Sequence, residues 1–453
     1  MRIVLIGCGT VGSSIAEQLV MEGHNVTLVD SDGEILKSLS GKCDTIGVEG
    51  DGTDVSVLRK AGVDKADLVL CITAKDEVNI LCCGAAAKLG AKNTVARVRN
   101  AAYGEYLQLL KQDLKLAMVI NPDLATAKAL YRILYYSAAD NVETFYRGRV
   151  ELVEFPVMAD SVFCGKTLYE LRSSLKCAFL VCGVLRKGKM TIPSGDFTLM
   201  EGDMIGVTAS HGELVRLFKT TGLNKHPVRN LLITGGSALT EQLLALLEDT
   251  RMSVTVIEPD KALCDRLIAE YECTVLHADS GSHDVLLEEG IEDTDAFLAL
   301  SESDEANILA SMFAKSKTTG KVITKINDFS YAQMLEAMDY SGVVTPNAIT
   351  SDDILHFVRA KNDDESSEIE ALHRIMGDQA EAIEFLVRKD IEGLTEIPLK
   401  ELKLQKGVLI ACIARNNKII IPSGDSEIRR GDTVIVITTD EKQLTNIKDM
   451  IAK

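Results

Sequence analysis

The chain is one unit written twice, and that duplication limits its possible folds more than any other feature. Gly9 and Ser237 stand 228 residues apart, as do Asp30 and Glu258, Asp51 and Asp279, and Asp67 and Asp295. At the same spacing Asp76-Glu-Val-Asn-Ile-Leu81 returns as Asp304-Glu-Ala-Asn-Ile-Leu309. Farther along, Ile192-Pro-Ser-Gly-Asp196 recurs as Ile421-Pro-Ser-Gly-Asp425 and Gly202-Asp203 as Gly431-Asp432, now 229 residues apart. One net insertion therefore separates two blocks that were duplicated together. The seam falls near Lys219 to Pro227, where Gly and Pro interrupt every apolar period.

Within each half the pattern changes about two-thirds of the way along. Short apolar runs at Ile3–Ile6, Val26–Val29, Asp44–Val48, Leu68–Ile72, Thr94–Val98 and Leu116–Ile120 alternate with helix-period stretches. That is βαβ repetition, which gives a parallel sheet covered by helices on both faces. A longer helix is expected over Leu124–Ala139, with a counterpart near Ile349–Ala360. The blocks Glu151–Phe218 and Glu381–Ile447 carry short β runs and Gly-rich turns instead. The expected architecture is α/β: tandem Rossmann-like doubly wound parallel sheets at 1–140 and 227–362, each followed by a small α+β lobe, at 141–222 and 370–453.

Composition narrows the function. With 453 residues there is room for several domains, and 46% hydrophobic with 26% charged residues is the balance of a folded globular chain. A net charge of −18 repels phosphate backbones and anionic lipid, so nucleic acid is not an expected partner. Eleven scattered cysteines without a C-x-x-C pair fit a reducing cytoplasm. No run approaches the roughly 18–20 apolar residues of a membrane span, so any link to a membrane is expected to go through a partner.

The candidate site begins at Gly7-Cys-Gly9-Thr-Val-Gly12, placed between the first strand and a helix, with Asp30 closing the second strand. That context makes the motif a dinucleotide fingerprint. Gly7 permits the turn, Gly9 lets backbone approach a pyrophosphate, and Gly12 lets helix and strand pack closely, while Thr10 and Val11 supply first-turn amides. Asp30 would accept ribose hydroxyls, and its charge favours NAD(H) or an adenine nucleotide over a 2′-phosphorylated one. Asp51 would either contact the base or cap the helix beginning at Asp54. Thr73, Arg97 and Arg99 lie at strand ends facing the same crevice, where an arginine would either reach a phosphate or make an interdomain salt bridge. In the second copy the loop reads Gly235-Gly-Ser237-Ala-Leu-Thr240, so side chains replace two of the three glycines; Glu258 and Asp279 persist.

Chemistry beside this crevice is not evident. The seven histidines form no H-E-x-x-H, and there is no P-loop lysine, G-x-S-x-G or metal-spaced cluster. Cys82-Cys83 read as buried structural thiols on the fourth helix, and Gly202-Asp203 as a hairpin turn. The chain thus reads as a sensor and not an enzyme, with an NAD-dependent oxidoreductase or a scaffold for another cation transporter as rival readings.

On these residues the sequence resembles the TrkA family, cytosolic regulatory subunits of Trk potassium-uptake systems built from tandem KTN/RCK units. The likeness rests on Gly7-x-Gly9-x-x-Gly12, Asp30, Glu49-Gly-Asp-Gly-Thr53, Arg97-Val-Arg-Asn100, Gly165-Lys-Thr-Leu168 and the Ile-Pro-Ser-Gly-Asp to Gly-Asp spacing of both lobes. The resemblance implies a homo-oligomeric gating ring, dimer or tetramer, peripheral on the cytoplasmic face beneath an integral membrane potassium channel. It implies NAD(H) and ATP or ADP competing for the crevices, with Gly7, Gly9, Gly12, Asp30, Asp51, Thr73 and Arg97 matching the family's nucleotide contacts.

Overall fold

The computed structural model describes all residues except 101, 147, 224–226, 339, 341, 362–368, 378, 440–443, 445 and 453. Parts of the expected seam and of the stretch between 362 and 370 therefore lie outside the described residues. Arg2–Ile6 (β1), Asn25–Asp30 (β2), Ile46–Glu49 (β3), Leu68–Cys71 (β4), Thr94–Arg97 (β5) and Leu116–Ile120 (β6) form a parallel sheet in the order β3-β2-β1-β4-β5-β6. Ile3, Val4, Leu5 and Ile6 are all buried, as a parallel strand with helices on both faces must be. The order reverses between β1 and β4, which opens a crevice at the carboxyl ends of those strands.

Asn141–Phe145 (β7), Val150–Pro156 (β8), Leu180–Arg186 (β9), Lys189–Thr191 (β10) and Met204–Ser210 (β11) make an antiparallel sheet, β10-β9-β11-β8-β7. The second half repeats the plan. Asn230–Thr234 (β12), Ser253–Glu258 (β13), Thr274–His277 (β14), Ala296–Ala299 (β15), Lys321–Lys325 (β16) and Val343–Val344 (β17) form the sheet β14-β13-β12-β15-β16-β17. Ile369–Ile375 (β18), Ala380–Leu386 (β19), Val408–Arg415 (β20), Lys418–Ile420 (β21) and Thr433–Thr438 (β22) form β18-β19-β22-β20-β21. The architecture is α/β, two Rossmann-like sheets each followed by an antiparallel lobe.

The chain divides into two compact units, Met1–Leu130 with Asn230–Leu355 and Tyr131–Arg229 with His356–Lys453. Like therefore groups with like: the parallel sheets in one unit, the lobes in the other. The helix expected over Leu124–Ala139 runs over Pro122–Tyr135. It stops there because Tyr136 and Ala139 are buried in the first lobe's core, and the Ala139 amide closes a turn onto the Tyr136 carbonyl.

In the lobe unit, β8 is buried on both faces. Val153 and Phe155 pack on Leu214, Leu217 and Phe218 of the helix His211–Thr221. Val150 and Leu152, on the opposite face, pack with Phe145 and Cys182 against Ile375, Met376, Ala382, Cys412 and Ile435 of the other lobe. The lobes also exchange carboxylates. The Met376 amide donates to Glu154 Oε1 at 2.9 Å and the Tyr146 amide to Glu384 Oε2 at 2.8 Å. Both amides sit at left-handed hairpin residues, φ 56° and 47°. That conformation costs a non-glycine residue roughly 1–2 kcal/mol, and a hydrogen bond to a carboxyl oxygen of the opposite lobe offsets part of it.

Candidate functional site

Two close approaches shape the loop after β1. Gly7 has φ +98°, and a Cβ there would lie 2.8 Å from the Thr73 nitrogen, so backbone meets backbone across the crevice floor. At Gly12 a Cβ would come within 2.0 Å of the Gly7 carbonyl oxygen, so the helix Thr10–Met21 can approach its strand only through glycine. Gly9 differs from both: its φ is −63° and a Cβ would meet nothing within 4 Å. The protein does not need glycine at position 9, and its effect is to leave the space in front of the loop clear. Gly9 is also the N-cap, with no side-chain cap, so the first-turn amides keep their outward polarity. Thr10 is exposed, whereas Val11 is buried and offers only its backbone.

Asp30 is held to this loop. Its Oδ2 accepts the Cys8 amide at 2.6 Å and its Oδ1 the Asp32 amide at 2.9 Å, which aims a half-buried carboxylate along the end of β2. Across the crevice, Thr73 and Arg97 are joined by Asn79. The Asn79 Oδ1 accepts the Thr73 amide and hydroxyl, both at 2.8 Å, and its Nδ2 donates to the carbonyls of Thr73 and Arg97 at 3.0 and 2.8 Å. Arg97 Nη1 donates to the Thr73 carbonyl at 3.2 Å, while its Nε is buried without a partner. Burial, and then the charge of Arg99, pull the Arg97 guanidinium below its usual range. A half-buried cation with an unsatisfied, buried Nε donor at the mouth of a glycine loop suits an anion.

Arg99 is committed elsewhere. It grips Asp123 with two bonds, Nε to Oδ2 at 2.8 Å and Nη2 to Oδ1 at 3.0 Å. Asp51 does not cap the helix Val55–Lys60, because Asp54 is the N-cap and accepts the Ser56 amide. Asp51 instead closes its own turn, accepting the Thr53 amide and hydroxyl at 2.8 Å each, and these bonds hold its carboxyl below the usual range. Two residues of the crevice were not singled out from sequence, Asn79 and Asp76; the latter accepts the amides of Arg99 and Asn100 at 3.0 and 2.8 Å. The signal was the repeated Asp-Glu-x-Asn-Ile-Leu segment. In the second copy Asn307 bonds Ser301 and Lys325, and Asp304 accepts the amides of Asn327 and Asp328, in the same pattern.

The second crevice keeps this frame but fills it from within. Glu258 accepts the amides of Gly236 and Asp260 at 2.6 and 2.7 Å, as Asp30 does, but is buried. Asp279 is exposed and closes a turn onto Gly281. Thr240, at the Gly12 position, donates its hydroxyl to the Gly235 carbonyl at 2.6 Å, and Ser237 donates to the Leu300 carbonyl at 3.3 Å. Lys325, at the Arg97 position, is 3% exposed and pairs with Glu302 at 3.2 Å. The position equivalent to Glu302 in the first copy is Ala74. The first crevice therefore has no acid at this position, although Asp76 and Asp123 lie near enough to favour the Arg97 charge, whereas the second places Glu302 directly on its cation.

The TrkA-N domain model matches residues 3–122 and 231–346, and the TrkA-C domain model matches 152–222 and 395–447. The chain is 32% identical over 438 residues to the Trk system potassium uptake protein TrkA homolog of Archaeoglobus fulgidus, covering 96% of this chain and 97% of that protein. It is 29% identical to the Trk system potassium uptake protein TrkA of Halomonas elongata, covering 99% and 98%. Among solved structures, the GsuK RCK domain superposes with a TM-score of 0.62 at 18% identity, over 97% of this chain and 92% of that one. The GsuK channel bound to NAD superposes at 0.63 and 17% identity, over 99% and 78%. These two likenesses concern the fold. The two matched domain types, each present twice and in alternation, establish that the chain belongs to the TrkA family.

Proposed function

We propose that the chain is the nucleotide-sensing regulatory subunit of a Trk-type potassium-uptake system, with NAD(H) and ATP or ADP alternating in the first crevice. The observation that carries this reading is the contrast between Arg97, whose buried Nε has no partner, and Lys325, which pairs with Glu302. The loop Gly7–Gly12 would take the diphosphate, with the amides of Thr10 and Val11 turned toward it, and Asp30 the ribose hydroxyls. Thr73 and Arg97 would face the remaining phosphate, and Asp51 the base end. A triphosphate brings more charge to Arg97 than a dinucleotide diphosphate does, which supports discrimination between the two. Glu258 and Asp279 would bind adenosine weakly or not at all. Binding would act by population shift, not by turnover: a tenfold change in the state of the assembly needs about 1.4 kcal/mol of differential affinity.

Names of the relatives support a membrane potassium transporter as partner, and the described residues contain no helix long and apolar enough to cross a membrane. We place the chain in the cytoplasm, peripheral to the membrane through that partner. Exposed apolar side chains recur at matched places on both parallel-sheet domains: Leu81 and Leu309, and Tyr106 and Met334. This supports self-association into a ring. Calorimetric titration tests the site. Asp30→Ala is expected to weaken NADH and ATP binding at least tenfold while Glu258→Ala leaves it within twofold; equal losses would overturn the ranking of the two crevices.

A further inference from the structure

The two lobes share a ribbon of paired backbone but differ in what it shows to solvent. After β8 the first lobe runs antiparallel to the turn before β11. Val157 donates its amide to the Asp203 carbonyl at 2.8 Å, Gly165 to Leu199 at 2.8 Å, Leu168 to Phe197 at 3.2 Å and Tyr169 to Gly195 at 2.8 Å. The second lobe repeats these bonds, with Val387 to Asp432, Glu396 to Ile428, Leu399 to Ser426 and Lys400 to Gly424. Met200 and Arg429 match in the same way, each donating its amide to the aspartate three residues on, Asp203 or Asp432, at 2.7 Å.

On this common frame Met158, Val162, Tyr169 and Met200 are exposed by 58%, 44%, 67% and 53%. Three of them have exposed, charged counterparts: Arg388 for Met158, Lys400 for Tyr169 and Arg429 for Met200. Val162 falls where the second lobe carries one extra residue, at the exposed pair Glu392 and Gly393. Lys400 and Arg429 are also paired on their own lobe, with Asp425 at 2.6 Å and with Glu427. Among the described residues the second lobe exposes no large apolar side chain at all. Tyr169 has a seat as well: a Cβ on Gly195 would collide with three carbons of its ring, so the ring packs directly on that turn.

Single exposed apolar residues are ordinary, but four along one ribbon, where the other copy carries charges, mark a surface that is covered. Together they present on the order of 400 Å² of apolar area. That is close to the apolar share of one side of a standard interface of about 800 Å² per partner. Copy number and charge indicate the occupant. The patch occurs once per chain, so burying it against itself joins two chains about a two-fold axis. Interleaved with it are exposed residues of both signs, Asp160, Glu170 and Glu201 with Lys166, so two such rims can pair across that axis.

We propose that this ribbon of the first lobe is the seat of a second copy of the chain, which lays the same four residues against it in an isologous contact. The contact uses none of the apolar side chains found at matched places on both parallel-sheet domains, so it adds to any assembly made through them. The second lobe supplies the test variant. Met158→Arg, Tyr169→Lys and Met200→Arg combined give the first lobe residues that the same backbone already carries in the second. The particle mass of the full chain by light scattering is expected to fall by about half, and an unchanged mass overturns the proposal. Peroxide footprinting of the purified full chain gives a second reading, since no other protein is there to cover the ribbon. Met158 and Met200 are expected to oxidise about fivefold more slowly than in Tyr169→Lys alone. Equal rates, which a ribbon left open for a different partner would give, overturn it as well.

Discussion

Gly9 and Gly12 belong to one motif, yet different constraints fix them. Gly12 is required by the protein itself, because its Cβ would collide with the Gly7 carbonyl at 2.0 Å. Gly9 adopts a backbone conformation open to any residue and would touch nothing with a Cβ. Under the proposed function its glycine leaves room for the nucleotide to come close. The two alanine variants should therefore separate. Gly12→Ala is expected to lose about 1–3 kcal/mol of stability through overpacking, read from the denaturant midpoint. Gly9→Ala should lose less than about 1 kcal/mol, as at an ordinary N-cap, while nucleotide affinity drops at least tenfold by calorimetry. Full nucleotide binding by Gly9→Ala would contradict the assignment of the space in front of the loop.

At the scale of elements, much was legible because the sequence states it twice. The parallel strands, the glycine loop and the carboxylate at the end of β2 each have a copy 228 residues on, and their positions in the structure follow the expected ones closely. Three features were hidden, for different physical reasons. Asn79 looks like an ordinary helical residue, and only folding brings the carbonyls of Thr73 and Arg97 within its reach. Glu151 and Glu154 of β8 are both 6% exposed, and the residue that meets Glu154, Met376, comes from a lobe more than two hundred residues away, which no local pattern shows. Gly202-Asp203 and Gly431-Asp432 read as turns. The glycines do turn, at φ +80° and +87°, but each aspartate also clamps an arginine of the neighbouring strand. Arg186 donates to both oxygens of Asp203 at 2.6 Å, and Arg415 to those of Asp432 at 2.8 and 2.7 Å. Asp203→Ala would leave the Met200 amide and a half-buried guanidinium without their acceptor. The expected loss is about 3 kcal/mol, measured by chemical denaturation; a loss under about 1 kcal/mol would mean that the pair is only a surface contact.

At the scale of the whole molecule, duplication followed by divergence gives two frames of one design with different contents. The parallel-sheet unit holds one crevice in which the Arg97 Nε has no hydrogen-bond partner and one in which Lys325 pairs with Glu302. The lobe unit holds a symmetric carboxylate exchange, with an apolar ribbon on one lobe and a charged one on the other. An ancestral symmetric pair fused into one chain is free to specialise in this way, since each position now mutates separately from its counterpart. A regulator built so would have one nucleotide input per chain, with the second crevice serving as scaffold. Equilibrium dialysis with ATP and NADH, separately and in competition, tests that claim most directly. One site per chain, mutual displacement of the two nucleotides, and loss of both on Arg97→Gln are expected. Two equivalent sites per chain, simultaneous occupancy by both ligands, or no binding at all would contradict it.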